Sequence, residues 1–243
     1  MRTNNPVFNK RFADMAQAGA DTGTMTIMGT IDKAAILFFL VMISASYTWN
    51  RFLDQSADVS GLMTLGVIGG LIAALATIFK PRWAPITAPI YALLEGLFLG
   101  GISVYLNYAY PGLPFQAVGL TLAVLLVMLG LYRFRIIRVT DKLRSGIVSA
   151  TLGVFLFYMA NWILGFFGVE MSIMTDSSLL GIGLSLVIVG IAAFNLLLDF
   201  DFIERASAQG YPKYMNWVGA FGLMVTLIWL YLEILRLLSR LRD

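Results

Sequence analysis

The sequence predicts an all-α polytopic membrane protein with seven transmembrane helices, and three observations predict it. Of 243 residues, 59% are apolar and only 13% charged, too little charge to keep the surface of a soluble domain wet. Mean hydropathy is +0.81, and the apolar residues fall in blocks of about 20, the length a helix needs to cross a ~30 Å hydrocarbon layer. The basic residues sit in short segments between these blocks, where they read as topology signals.

The same composition removes several classes of function. There is no cysteine and no histidine, so disulfides, thiol chemistry, a Ser-His triad and a conventional zinc site are all excluded. A net charge of +3, carried in loops, gives no reason to expect nucleic acid as a partner. The expected partner is the lipid bilayer, no cofactor is expected, and the chain is not expected to be an enzyme. An intramembrane aspartyl protease would need two facing aspartates, usually after Gly-x-Gly. Here Asp199 follows Leu196, Leu197 and Leu198, and the other acid is Glu233.

Taken in order, residues 1–30 form a polar leader with no cleavable signal pattern. Phe8, Phe12, Met15 and Ala16 recur there at a spacing that suits a short interfacial helix, though a mobile tail fits equally. Residues 31–243 form the transmembrane domain. Its spans are expected at 34–49, 61–79, 86–107, 116–132, 146–167, 179–198 and 217–238. Lys80-Pro81-Arg82 and the uncharged run Tyr110-Pro111-Gly112-Leu113-Pro114 mark turns. Residues 168–177 form a short acidic loop with Glu170 and Asp176, and 200–216 is expected to be the longest connection after the leader.

Seven spans place the termini on opposite sides. The leader's side carries 13 Lys and Arg residues, including Arg133, Arg135, Arg138, Lys142 and Arg144 in one connection, against 4 on the other side. The positive-inside rule then puts the N-terminus in the cytoplasm, although Arg236, Arg240 and Arg242 make the opposite end basic. If the last span were re-entrant, that tail would return to the cytoplasm.

An ionised side chain near the centre of a spanning helix costs ~2.5–3.5 kcal/mol on insertion scales, so such residues face protein or a water-filled path. The candidates are Glu95, Asp199, Asp201 and Glu233. Glu95 lies deep in the third span, where it is either a neutral acid bonded to a neighbouring helix or part of an ion or proton path. Gly96 and Gly100 beside it, like Gly66 and Gly70 in the second span, form small-xxx-small patterns that read first as tight helix packing. Asp199 and Asp201 close the sixth span and, at 100° per residue, point to different sides. Asn195, one turn earlier, extends a polar stripe on the Asp199 face. Glu233 is surrounded by apolar residues. If it met Asp199, the two would share a proton and titrate as a unit, or offer hard oxygen ligands to a calcium ion. Lys33 and Arg236 lie near span ends and can snorkel, and the five tryptophans read as interfacial belt or packing.

Four stretches carry a resemblance. Leu198-Asp199-Phe200-Asp201-Phe202-Ile203-Glu204, the run Leu230-Tyr231-Leu232-Glu233-Ile234-Leu235-Arg236, the run from Ala88 to Gly100, and Asn5-Pro6-Val7-Phe8 together resemble the Bax inhibitor family of membrane proteins. The whole pattern looks like a bacterial branch with an extended leader, which implies an inner-membrane location. The resemblance implies seven helices, six of them in two layers around a central C-terminal helix. It also implies a pH-sensitive calcium leak governed by carboxylates on the sixth and seventh helices. By motif those are Asp199 and Glu233, the latter replacing an aspartate with a longer side chain. Better-studied members hold the pair with an arginine on the second helix. The second span here has no charge, so that latch is either missing or supplied by Lys80 or Arg82.

The expected function is therefore a calcium-permeable leak gated by protonation of Asp199 and Glu233, with Glu95 lining or supporting the interior. Calcium is the permeant ion, bound transiently at Asp199 and Glu233. Two alternatives stay open: a non-conducting regulator that binds a membrane protease or another membrane protein through its loops, and a proton-coupled transporter.

Overall fold

The computed structural model describes residues 23–54, 59–168 and 178–242. Seven long helices make up nearly all of it: α1 Ile27–Leu53, α2 Val59–Phe79, α3 Ala84–Ala109, α4 Leu113–Arg133, α5 Asp141–Phe166, α6 Leu179–Ala208 and α7 Met215–Arg240. Each is long and apolar enough to cross a bilayer. The interfacial helix expected around Phe8–Ala16 and the acidic loop with Glu170 and Asp176 lie outside the described residues.

Large apolar side chains point outward in a way no water-soluble protein tolerates. Phe39 is 64% exposed, Phe79 78%, Leu126 67% and Leu180 75%. Lipid, rather than water, covers such a surface. The last helix is the opposite case. Of its most apolar 18-residue window, 56% is buried, against 6% in α5, so the acid on α7 is held by protein contacts.

Local chemistry explains the helix ends. Thr26 caps α1 by accepting from the Gly29 amide at 3.0 Å, and Thr140 caps α5 through the Leu143 amide at 3.2 Å, each side chain satisfying an otherwise orphaned donor. Gly112 takes a left-handed conformation (φ +81°) immediately before α4, its amide bound to Asn107 Oδ1, a geometry open to glycine at no steric cost. A 3-10 turn, Pro81–Trp83, leads into α3, and Lys80 Nζ sits 4.1 Å from the centre of the Trp83 ring.

The spans run longer than hydropathy predicts, and one difference bears on function. Helix α6 was expected to stop at 198 with Asp199 and Asp201 closing it. It continues instead to Ala208, so both aspartates are interior to the helix. The reason is amphipathicity. Past Asp201, Ile203 and Ala206 are buried while Phe202, Glu204 and Arg205 are exposed, a 3.6-residue alternation that an apolar-block reading passes over. The connection to α7 shrinks from the expected 200–216 to the six residues 209–214. Helix α1 likewise opens at Ile27, inside the expected leader. Asp32 and Lys33 are tolerated in its first turns because Asp32 is exposed and Lys33 Nζ lies 5.5 Å from the centre of the Trp217 ring.

The described chain divides into two compact units, Met1–Val104 with Asp201–Met224, and Tyr105–Phe200 with Val225–Asp243. In the first, residues just before α1 are strapped to the α6–α7 connection. The Met25 amide donates to the Tyr211 carbonyl at 2.6 Å and the Lys213 amide to the Gly23 carbonyl at 2.9 Å. Met25 packs on Ile203, Ala206 and Met215. Asn216, 4% exposed, accepts from both the Thr26 amide (3.0 Å) and the Thr30 hydroxyl (3.2 Å) through one oxygen. Burial in this cluster raises the Tyr211 phenol above its ordinary range.

The glycine patterns pack as expected. A Cβ on Gly100 would stand 2.8 Å from Ala45 Cα, and one on Gly96 would collide with Ser44 and the Val41 carbonyl, so α3 lies backbone-close against α1. Gly66 serves α2 in the same way against the Leu94 carbonyl of α3.

Candidate functional site

Of the seven acids in the membrane-length helices, Asp32, Asp141 and Glu204 are exposed; the other four are enclosed to differing extents, and each is satisfied to a different degree. In the first unit, Glu95 is half-buried on α3, with the buried Tyr91 hydroxyl, one turn earlier, as its hydrogen-bond partner. Helix α2 closes over it at Gly70, where a Cβ would stand 3.1 Å from Glu95 Oε1. Asp201, 6% exposed, accepts at Oδ1 from Arg205 Nε one turn later, at 2.9 Å. That ion pair is the i,i+4 type, and it gives Asp201 a counter-ion on its own helix.

The second unit holds Glu233 and Asp199. Glu233 is 2% exposed and its carboxylate is saturated. Oε1 accepts from the Tyr158 hydroxyl of α5 at 2.7 Å and from Trp229 Nε1 at 3.1 Å. Arg236 Nη1 lies 3.2 Å from Oε2 and 3.4 Å from Oε1. The Arg236 guanidinium also bonds the Tyr158 hydroxyl and sits 5.1 Å from the centre of its ring. Arg236 therefore does not simply snorkel to the interface; it turns back as the counter-ion of the acid three residues before it. Trp229, likewise, is a donor to an acid rather than a belt residue.

Asp199 is held by much less. Its hydrogen-bond partner is the Thr226 hydroxyl of α7, on a residue 8% exposed. The second carboxylate oxygen, Oδ2, is sealed from solvent and has no hydrogen-bond partner among the described residues, the one buried side-chain atom there in that condition. Asn195, one turn earlier on the same face, donates to Thr151 Oγ1 of α5 at 2.8 Å and to the Ile191 carbonyl at 2.9 Å, so the polar stripe reaches α5.

No hydrogen bond joins Asp199 to Glu233. Thr226 and Glu233 are seven residues apart on α7, which puts them on the same face but about 10 Å apart along the axis. Asp199, meeting α7 from α6 at Thr226, and Glu233 thus stand at successive levels along one face of α7, with different partners. The arginine that engages an acid at this site is Arg236 on α7; of the two substitutes named from the sequence, Lys80 lies over Trp83 and Arg82 is exposed. Among the described residues no three acids come together as a metal cage. Calcium takes six to eight oxygens, of which Asp199 and Thr226 supply only a part.

Two further tail arginines are absorbed by the protein. Arg240, 6% exposed, donates to the Gly181 carbonyl and, at 2.8 Å, to Ser185 Oγ on α6. Arg242 donates to the Pro111 carbonyl at 3.2 Å and to Gln116 Oε1 at 3.0 Å.

Several of these residues were missed from sequence. Tyr91 and Arg236 stand at helical spacing from Glu95 and Glu233 and were readable; Tyr158, Thr151 and Ser185 come from other helices and carried no signal.

Seven membrane-length helices, with acids set inside the sixth and seventh and one carboxylate oxygen left unmatched, define a polytopic membrane protein built around buried ionisable groups. The chain belongs to the Bax inhibitor 1 like family, whose sequence model matches residues 5–243. No curated protein matches it.

Proposed function

We propose that this protein is a pH-sensitive cation leak, permeable to calcium, in which Asp199 is the group for which protons and passing cations compete. The observation that carries the reading is the sealed, unpartnered Asp199 Oδ2. A buried acceptor without a donor costs roughly 1–3 kcal/mol, and in a membrane helix no bulk water relieves it. A proton or a cation at that oxygen would relieve it, and the two cannot occupy it together. Thr226 orients the carboxylate, Asn195 and Thr151 continue the polar stripe, and Glu95 supports the interior of the other unit.

The inner membrane of a bacterium, with the N-terminus in the cytoplasm, is the proposed setting. The charge count supports that orientation, and the bonding of the tail arginines is compatible with it. Arg236, Arg240 and Arg242 are each bonded to protein groups.

The test is calcium entry into liposomes holding only the purified protein, followed with a trapped dye from acid to neutral pH. Wild-type protein should pass calcium with a pH-dependent rate, and Asp199→Asn should flatten that dependence. Absence of flux would instead favour a non-conducting regulator that binds a membrane protease or other membrane partner. Saturable uptake driven by a proton gradient would favour a transporter.

A further inference from the structure

We infer that Arg236 determines ion preference: by neutralising Glu233 from within the same helix, it leaves Asp199, which meets α7 from α6 at Thr226, as the single uncompensated acid along that face of α7 among the described residues. The inference rests on the leak reading above and adds a determinant of selectivity to it.

The geometry is specific. Glu233 is enclosed by donors from its own helix and from α5: Tyr158, Trp229 and Arg236 occupy the approaches to its oxygens, and no other charged group contacts it among the described residues. Arg236 is anchored twice, on the carboxylate and on the Tyr158 hydroxyl and ring. The guanidinium is thus held by the same tyrosine that donates to the acid, so the three groups lock one another. Its side chain is 40% exposed and that of Glu233 only 3%. The arginine therefore stands between the acid and the more accessible end of α7.

Charge count has a direct consequence for selection. A path that presents one net negative charge attracts a divalent ion over a monovalent one less strongly than a path that presents two, because attraction scales with the product of the charges. Releasing Glu233 would add a second negative charge about 10 Å from the level of Thr226. At an effective dielectric of ~20, that charge would favour a divalent over a monovalent ion by about tenfold.

The experiment compares calcium with rubidium flux in liposomes of fixed lipid composition, using the full-length chain. Arg236→Gln should raise the calcium-to-rubidium ratio about tenfold, and Arg236→Lys should keep it near wild type. Glu233→Gln, which leaves the guanidinium without its acid, should lower the ratio. Glu233→Gln combined with Arg236→Gln should bring it back towards wild type. Should Arg236→Gln not fold, the Glu233→Gln shift carries the test alone. Wild-type flux with a ratio unmoved by these changes overturns the inference and leaves the leak reading standing. No wild-type flux of either ion overturns both.

Discussion

Replacing Thr226 with valine isolates the one hydrogen bond that holds Asp199. The two side chains are close in shape, so Thr226→Val removes a hydroxyl and little else. In the native protein that hydroxyl is the partner of one carboxylate oxygen while the other has none, so the change leaves the acid with no donor at all. A hydrogen bond to a charged group contributes about 1.5–3 kcal/mol, and one to a neutral group about 0.5–1.5 kcal/mol. For a chain of this size 1 kcal/mol moves the melting temperature by about 2–4 °C, so with the acid charged Thr226→Val should lower it by roughly 3–12 °C in detergent. The same change made in an Asp199→Asn background should cost less, because the amide is neutral, and the double-mutant cycle should close with a coupling of about 1 kcal/mol. In proteoliposomes the pH profile of calcium flux should move in Thr226→Val and stay flat in both backgrounds that carry Asp199→Asn. Strict additivity within about 0.5 kcal/mol, with an unmoved flux profile, would show that Thr226 does not hold the acid and that the proposed site is misread.

Asn216→Ala should destabilise the protein by about 1–3 kcal/mol, since it strands the Thr26 amide, while the Thr30 hydroxyl keeps the Thr26 carbonyl as acceptor. Asn216→Asp keeps the acceptor and places a negative charge at the start of α1, so it should melt at or above the wild-type temperature. Gly100→Ala drives a methyl into the Ala45 backbone and should cost about 1–3 kcal/mol. Gly153→Ala, on α5 where a Cβ meets nothing within 4 Å, should be neutral or stabilising by up to about 1 kcal/mol. Thermal unfolding of the four variants side by side, in one detergent, separates these outcomes.

Hydropathy carried the fold because a membrane helix has one dominant requirement, about 20 apolar residues without a break, and that requirement is local. All seven spans could be read from it. Their ends could not, because ends depend on tertiary contacts. The α6 extension is half-polar and is held by Ile203 and Ala206 packing on Met25, from the opposite end of the chain. The acids were legible for the same local reason, as charges inside apolar runs. What each acid does was not, since that depends on donors from elsewhere. Tyr158 lies 75 residues from Glu233, and nothing in its neighbourhood marks it. Arg236 was visible as a cation near a span end, but whether it turned out to lipid or back to Glu233 is settled by Tyr158.

Treating the four enclosed acids as a graded series separates Glu233 from Asp199, which the sequence alone set side by side. A carboxylate in an apolar helix looks equally anomalous wherever it stands, yet the free energy at stake depends on what fills its lone pairs. Asp201 has its arginine, Glu95 its phenol, and Glu233 a phenol, an indole and a guanidinium. Each is thereby supplied with donors that also fix its position, which is how a structural acid is stabilised in low dielectric. Asp199 alone keeps a sealed oxygen without a donor. Its surroundings supply one neutral hydroxyl, so under the proposed leak a proton or a passing cation would balance its charge. A fully matched acid resists exchange with a passing ion, because the ion would have to displace bonds already made. Incomplete satisfaction, rather than the presence of an acid, therefore singles out Asp199 as the residue on which transport would depend.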